Sequence, residues 1–150
     1  MIGMRAVASG GDRVIPESHR DLFERPVCAV FTTIGSDGRA QSSLVWTDLD
    51  DGVPTVNTTL ERQKGRNLLR NAKVSLVVVD PDDTGRFIQV RGDAELVRDG
   101  AIEHLDRLTR RYTRHPTFYG HVHPADQQAR ETRVIVRIHP RRITLDAIHR

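Results

Sequence analysis

Val27-Cys-Ala-Val-Phe-Thr-Thr-Ile34, Gly35-Ser-Asp-Gly38 and Ala40-Gln-Ser-Ser-Leu-Val-Trp-Thr-Asp48 form the stretch on which the fold turns. The first segment is rich in β-branched residues, which suit a pleated, half-buried surface. The second carries Asp-Gly, and the third returns as a strand, so the three together predict a β-hairpin. Asp50-Asp-Gly52 marks another turn before a third strand at Val53 to Thr59. Three strands joined by short turns make a meander, and a meander makes the sheet antiparallel.

Outward from this core the pattern continues. Pro16 to Arg25 reads as a short helix closed by Pro26, with Leu22 and Phe23 as its apolar edge. A second helix runs from about Leu60 to Asn71, with Leu68, Leu69 and Ala72 as its inner side. Val74 to Val79 is a continuous apolar strand expected to be covered on both faces. After the loop Asp80-Pro-Asp-Asp-Thr-Gly85, Arg86 to Val97 alternates. Ile88, Val90, Gly92, Ala94 and Leu96 share one face, and Gln89, Arg91, Asp93 and Glu95 share the other. Gly92 in mid-strand predicts a bulge or tight coil. Asp99 is positioned to cap a third helix reaching about Tyr112, with Ile102, Leu105 and Leu108 turned inward. Thr113 to Arg130 reads as a long polar loop, and Thr132 to Ile138 and Arg142 to Leu145 as two strands divided by His139-Pro140. About seven antiparallel strands flanked by two to three helices predict a mainly β, α+β chain, folded as a small barrel with Greek-key features. Residues 1–13 read as a loose leader and 14–150 as one domain.

Composition narrows the function. There are 23 basic and 20 acidic residues, a net charge of +3. With few aromatics on the strands, that balance disfavours a nucleic-acid-binding barrel. No apolar run is long enough to span a bilayer. The single cysteine, Cys28, excludes an internal disulfide and fits a reducing, cytoplasmic setting. Its apolar neighbours predict a buried, inert thiol.

The chemistry concentrates at Asn57-Thr-Thr-Leu-Glu-Arg-Gln-Lys-Gly-Arg-Asn-Leu68, where a strand feeds a helix. Arg62, Lys64 and Arg66 gather at the end of the helix that already carries partial positive charge, and only Glu61 offsets them. That is a poor arrangement for the helix alone and a good one for a phosphate. A solvated basic helix start, paired with acids from elsewhere, is the competing account. Thr58 and Thr59 either bond a phosphate oxygen or serve as strand and cap threonines. Gln41, Ser42 and Ser43 are small and polar beside Leu44-Val-Trp46, which fits contacts to a planar ring edge or simply a solvent-facing strand. Trp46 fits a core, an interface or a stacking position. His121 and His123 would share one face if the segment were a strand, but they lack a third ligand at suitable spacing, so no metal site is expected. His115, Phe118 and Tyr119 fit either solvated loop positions or the rim of an acceptor site.

Ser36-Asp-Gly-Arg-Ala-Gln-Ser-Ser-Leu-Val-Trp46, Asn57-Thr-Thr with Arg62-Gln-Lys-Gly-Arg-Asn-Leu68, Val74 to Pro81, Val90-Arg-Gly92 and Arg111-Tyr112 stand in an order and spacing that carries a resemblance. The chain, over about Pro16 to Leu145, resembles the split β-barrel flavin and deazaflavin oxidoreductases, the pyridoxamine 5'-phosphate oxidase-like superfamily. Within it, Arg-x-Lys-x-Arg-Asn-Leu is similar to actinobacterial proteins that use coenzyme F420.

The resemblance implies a homodimer with the cofactor at the subunit interface. It implies a phosphate and tail near Thr58, Thr59, Arg62, Lys64, Arg66 and Asn67, and a ring near Gln41, Ser42, Ser43, Val45 and Trp46. The implied reaction is hydride transfer from reduced F420 to an unsaturated acceptor such as a quinone, enone or tetrapyrrole. FMN in the same fold, or an F420 carrier without turnover, are the alternatives. Arg86-Phe87 stands where pyridoxamine-phosphate oxidases carry Arg-Gln, and the chain ends Leu145-Asp-Ala-Ile-His-Arg150. These departures weigh against pyridoxine-phosphate oxidation and favour F420 over FMN. Hydride transfer asks the protein for binding, orientation and exclusion of water. No catalytic triad or paired carboxylates stand out, and no catalytic side chain is assigned.

Overall fold

The computed structural model describes residues 13–148 together with a two-residue strand near the start, β1 (Ala6–Val7). The expected leader, residues 1–13, lies outside the described residues apart from β1 and Arg13. A 3-10 turn (Glu17–His19) leads into α1 (Asp21–Glu24), then β2 (Ala29–Ile34), β3 (Ala40–Val45), β4 (Asp48–Asp50) and β5 (Val53–Thr59). α2 (Gln63–Arg70), β6 (Lys73–Val79), β7 (Phe87–Val97), α3 (Ala101–Thr113), a second 3-10 turn (Ala125–Arg130) and β8 (Arg133–Leu145) follow. The sheet runs β3-β2-β6-β7-β8-β5-β4, with β1 added on β8, and the named strands pair antiparallel throughout. This is the expected mainly β, α+β split barrel.

Two strand boundaries differ from expectation. Ala40 to Asp48 is not one strand: it breaks at Trp46-Thr47 into β3 and β4, which occupy opposite ends of the sheet path. The split of the barrel therefore lies at a covalently continuous corner. Conversely, His139-Pro140 does not divide the last strand. Pro140 stands opposite Gly92 where the β7–β8 register shifts, so the missing amide falls at a bulge, where the ladder is already interrupted. A Cβ on Gly92 would sit 2.2 Å from the His139 carbonyl oxygen, so only glycine admits that approach.

The core fills the barrel with Phe31, Val56, Leu76, Val78, Ile88, Val90, Val136 and Ile138. Leu22 and Phe23 from α1 and Leu68 from α2 join the same cluster. β6 is covered on one face only: Val74, Leu76 and Val78 are buried, while Ser75, Val77 and Val79 are partly open. α2 buries Gly65, Asn67 and Leu68, whereas Leu69 and Ala72 face outward. α3 starts after Gly100 rather than under an Asp99 cap, because Gly100 takes the left-handed conformation (φ 77°) and turns the chain into the helix. Its inner face is Ala101, His104, Leu105, Leu108 and Thr109, with Ile102 only half-buried. The expected loop after α3 is ordered by backbone bonds: the amides of Val122 and His123 donate to the Phe118 carbonyl at 2.9 and 3.0 Å. Among the described residues no helix is long and apolar enough to cross a membrane.

Candidate functional site

A cavity of about 200 Å³ opens beside the corner between β3 and β4. Two elements bring three cations to it. Arg62 is the residue immediately before α2, and Lys64 lies in that helix's first turn. Arg133 begins β8 and stands opposite Thr59. The lining contains no carboxylate. Lys64 Nζ donates to Ser43 Oγ at 2.9 Å, tying α2 to β3. Burial, then the charges of Arg62 and Arg133, hold the Lys64 ammonium below its ordinary pKa of 10.5. The first turn of α2 holds no acid, because Glu61 lies outside the helix and its Oε1 accepts the Thr132 amide at 2.7 Å. The positive end of the helix and its two cations are thus left facing one opening.

The aromatic wall has its own support. Trp46 stacks on Tyr112 with centroids 5.4 Å apart and meets Phe118 edge-on at 6.3 Å. Tyr112 Oη donates to the Val27 carbonyl at 2.8 Å and accepts the Thr47 amide at 3.1 Å, so one phenol joins α3 to both flanks of the split. Burial raises the Tyr112 pKa, which keeps that donor protonated. The Arg133 guanidinium carbon lies 4.8 Å above the Phe118 ring. Its Nε donates to Tyr119 Oη at 2.9 Å, and Tyr119 Oη donates to Glu131 at 2.5 Å. Arg133 is 7% exposed, and its second amino nitrogen has no hydrogen-bond partner, only an ion contact of 3.5 Å to Glu131.

The residues singled out from sequence divide. Val45, Trp46, Arg62 and Lys64 line the cavity, and Ser43 reaches it through Lys64. Gln41 bonds Thr33, and Ser42 bonds Thr32 across the hairpin. Arg66 turns back to the Glu61 carbonyl and to Gln63, away from the lining. Asn67 is 1% exposed and spends its amide on Thr33 Oγ1 and Gln63. Thr58 and Thr59 are equally buried, with hydroxyls that reach neither the cavity lining nor a hydrogen-bond partner. These three side chains have almost no surface left for a ligand.

Phe118 lines the cavity and Tyr119 backs it, while His115 stacks on His121 outside the lining. Cys28 is exposed and lines the cavity, against the expected buried thiol. Cys28 immediately precedes β2 and is turned outward, so its apolar neighbours do not cover it. Sequence reasoning did not find Arg133, took Leu105 and Leu108 only as the inner face of a helix, and gave Asn57 no role of its own within the basic stretch. Arg133 looks like an ordinary strand arginine until the β5–β8 register sets it diagonally across from Asn57. Among the described residues no cluster of three or more His, Cys, Asp or Glu side chains could hold a metal ion.

An antiparallel split barrel with a cationic, aromatic-walled cavity at its seam is the class that fold and site define. The family model described as pyridoxamine 5'-phosphate oxidase matches residues 15–145, and the chain belongs to that family. Among solved structures it is similar to a protein titled F420 reductase, at 33% identity over 84% of this chain and 95% of that one, with a TM-score of 0.69. A conserved hypothetical protein from Mycobacterium tuberculosis, Rv2991, aligns at 29% identity over 93% of this chain and 89% of its own, TM-score 0.66. HupZ from Group A Streptococcus, at 21% identity, 89% and 98% coverage and TM-score 0.60, shares the fold. No curated protein matches the chain.

Proposed function

We propose that this protein is a coenzyme F420-dependent reductase that passes a hydride from reduced F420 to an unsaturated small molecule of the quinone, enone or tetrapyrrole type. The observation that carries this reading is the convergence of Arg62, Lys64 and Arg133 on a cavity whose lining has no acid. Such a donor set fits the phosphate of a phosphorylated cofactor. The solved F420 reductase it resembles favours F420; FMN, with the same phosphate requirement, is the second reading.

Bound F420 would supply the hydride. The protein's share is binding and orientation. Lys64 and Arg62 would hold the phosphate, with Ser43 fixing Lys64 from below. Trp46, Val45 and Leu44 would flank the ring, and Phe118 with Leu105 and Leu108 would keep water out. The cavity is smaller than the roughly 300–1,000 Å³ of usual ligand sites. Leu44 beside it is 71% exposed, and Val30 pairs with both Leu44 and Val77 on the same outer face. A second copy seated on this face would complete the site, so the working form is a homodimer.

The test is a fluorescence titration of purified protein with F420 and with FMN. F420 is expected to bind, and Lys64→Ala is expected to weaken it by about 10- to 100-fold, the worth of a charge-assisted hydrogen bond. Tight FMN binding without F420 binding sinks the F420 reading. Equal affinity in Lys64→Ala removes the phosphate site. Oxidation of reduced F420 by quinones, enones or tetrapyrroles separates an enzyme from a carrier.

A further inference from the structure

Asp48 and His104, behind the cavity, join the lining residues Asn57 and Arg133 in one connected hydrogen-bond chain. Two neighbours of Asn57 have fixed roles. The Ala101 carbonyl can only accept, and the Arg133 guanidinium can only donate. Asn57 Nδ2 therefore faces Ala101 O, at 2.9 Å, and Asn57 Oδ1 faces Arg133 Nη1, at 3.3 Å. The amide has no freedom to turn over, since that would set oxygen against oxygen and donor against donor.

The same Nδ2 lies 3.1 Å from His104 Nδ1. A nitrogen that donates there requires Nδ1 to accept, so Nδ1 carries no proton. The ring proton is then on Nε2, which donates to Asp48 Oδ1 at 2.9 Å. The Thr55 hydroxyl also donates to Asp48 and lies 3.1 Å from His104 Nε2. Burial pushes the Asp48 pKa up, but the hydrogen bond and electrostatic attraction of His104, then the Thr55 hydrogen bond and the Arg107 charge, outweigh it and leave the carboxyl below its ordinary range.

We propose that Asn57, His104 and Asp48 are a positioning chain: they fix His104 as its neutral Nε2–H tautomer and thereby hold the Arg133 guanidinium at the cavity. This rests on the cavity being the cofactor site. His104 does not line the cavity, so its effect on binding passes through Asn57. The charged groups around the ring are Asp48 from β4 and Arg107 from α3, with Arg133 from β8 reached through Asn57; Thr55 and Asn57 from β5 are neutral. A proton arriving at Nδ1 meets Asn57 Nδ2–H head-on. Relief requires the amide to turn, and turning it breaks the contact to Arg133. A ring protonated at Nδ1 should therefore support weaker ligand binding than the neutral one.

Two measurements on the full chain decide this. Nitrogen-15 spectra of the histidine rings at pH 7, with His104 assigned from its loss in His104→Asn, should give an unprotonated Nδ1 and a protonated Nε2. An Nδ1–H tautomer or an imidazolium overturns the chain, and the measurement needs no ligand. F420 and FMN are then titrated against wild type, His104→Leu and His104→Asn from pH 5.5 to 8. His104→Asn keeps an acceptor for Asn57 and should stay within about 3-fold of wild type at pH 8, with a flatter pH profile. His104→Leu removes the acceptor and should lose about 10-fold, the range of a bond to a charged group. Equal loss in both variants, or a wild-type profile unchanged in His104→Asn, overturns the positioning role. If neither ligand binds wild type, the cofactor reading fails while the nitrogen spectra still decide the chain.

Discussion

Replacing Gly65 by alanine sets two magnitudes of opposite sign against each other. In an isolated helix the change favours folding by about 1 kcal/mol. Here the added Cβ would lie 2.0 Å from the Thr59 carbonyl oxygen, 2.7 Å from Leu60 Cα and 2.9 Å from the Thr59 carbonyl carbon. Non-bonded carbon is comfortable at roughly 3.5 Å, so the gap must widen by about 1 Å or more. All three opposing atoms are backbone. Thr59 is also the last residue of β5 and is held opposite Arg133 in the sheet, so α2 has to move instead. Overpacking of this kind costs about 1–3 kcal/mol, and a rigid backbone target puts it at the upper end. The net expectation is a loss of about 2 kcal/mol, or a melting temperature about 4–8 °C lower for a chain of this size. Thermal unfolding followed by Trp46 fluorescence reads this directly. Because α2 carries Lys64 away from Ser43, affinity for F420 or FMN should fall with it. An unchanged or raised melting temperature would refute the close seating of the helix.

Three further outcomes follow from the same geometry. Tyr112→Phe removes the hydroxyl that joins Val27 and Thr47, so it should cost about 1–3 kcal/mol in urea unfolding and red-shift Trp46 emission; an unaltered spectrum would detach the phenol from the wall. Arg86 holds the Asp21 carboxyl low chiefly by its hydrogen bond, and with the Asp82 amide it lowers Asp80 as well. Carboxyls depressed in the folded state contribute stability above their ordinary 3.8 and lose it as pH falls through the lower folded values; Arg86→Met should therefore lower stability at neutral pH and flatten the acid limb of the unfolding curve, and an equally steep limb would count against the pairing. Cys28, exposed at the cavity, should react with a maleimide in the free protein and be slowed by saturating F420 or FMN; equal rates would separate the thiol from the ligand.

What the sequence disclosed depended on whether the governing contact was local. The Asp37-Gly38 hairpin and the alternation of Ile88, Val90 and Gly92 are short-range patterns, and both are present in the structure. The cap of α3 escaped because Asp99 has the right chemistry, while Gly100 has the backbone freedom that the turn required. Pro140 reads as a breaker unless the bulge opposite Gly92 is known, and that pairing spans almost fifty residues of chain. The cavity divides in the same way. Arg62 and Lys64 were legible because a strand running into a basic helix start is a local signal. Arg133, Asn57 and the His104–Asp48 chain were not, since only the β5–β8 register and the packing of α3 bring them together. The bonds of Asn67 were not legible either, because a polar residue at a helix start looks the same whether it meets a ligand or a buried threonine.

β8 bears on how the molecule comes into being. It pairs with β7, β5 and β1, follows every other strand in the chain, and brings Arg133 with it. During synthesis the earlier strands must wait with open edges until it emerges, a condition that slows folding and invites wrong pairing. The same late strand completes the set of three cations at the cavity. A chain stalled before residue 133 would have the helix start and the tryptophan but not the third cation, and so, if the cavity is the proposed cofactor site, nothing finished in which to capture a cofactor early. Loading should accordingly follow closure of the barrel rather than assist it.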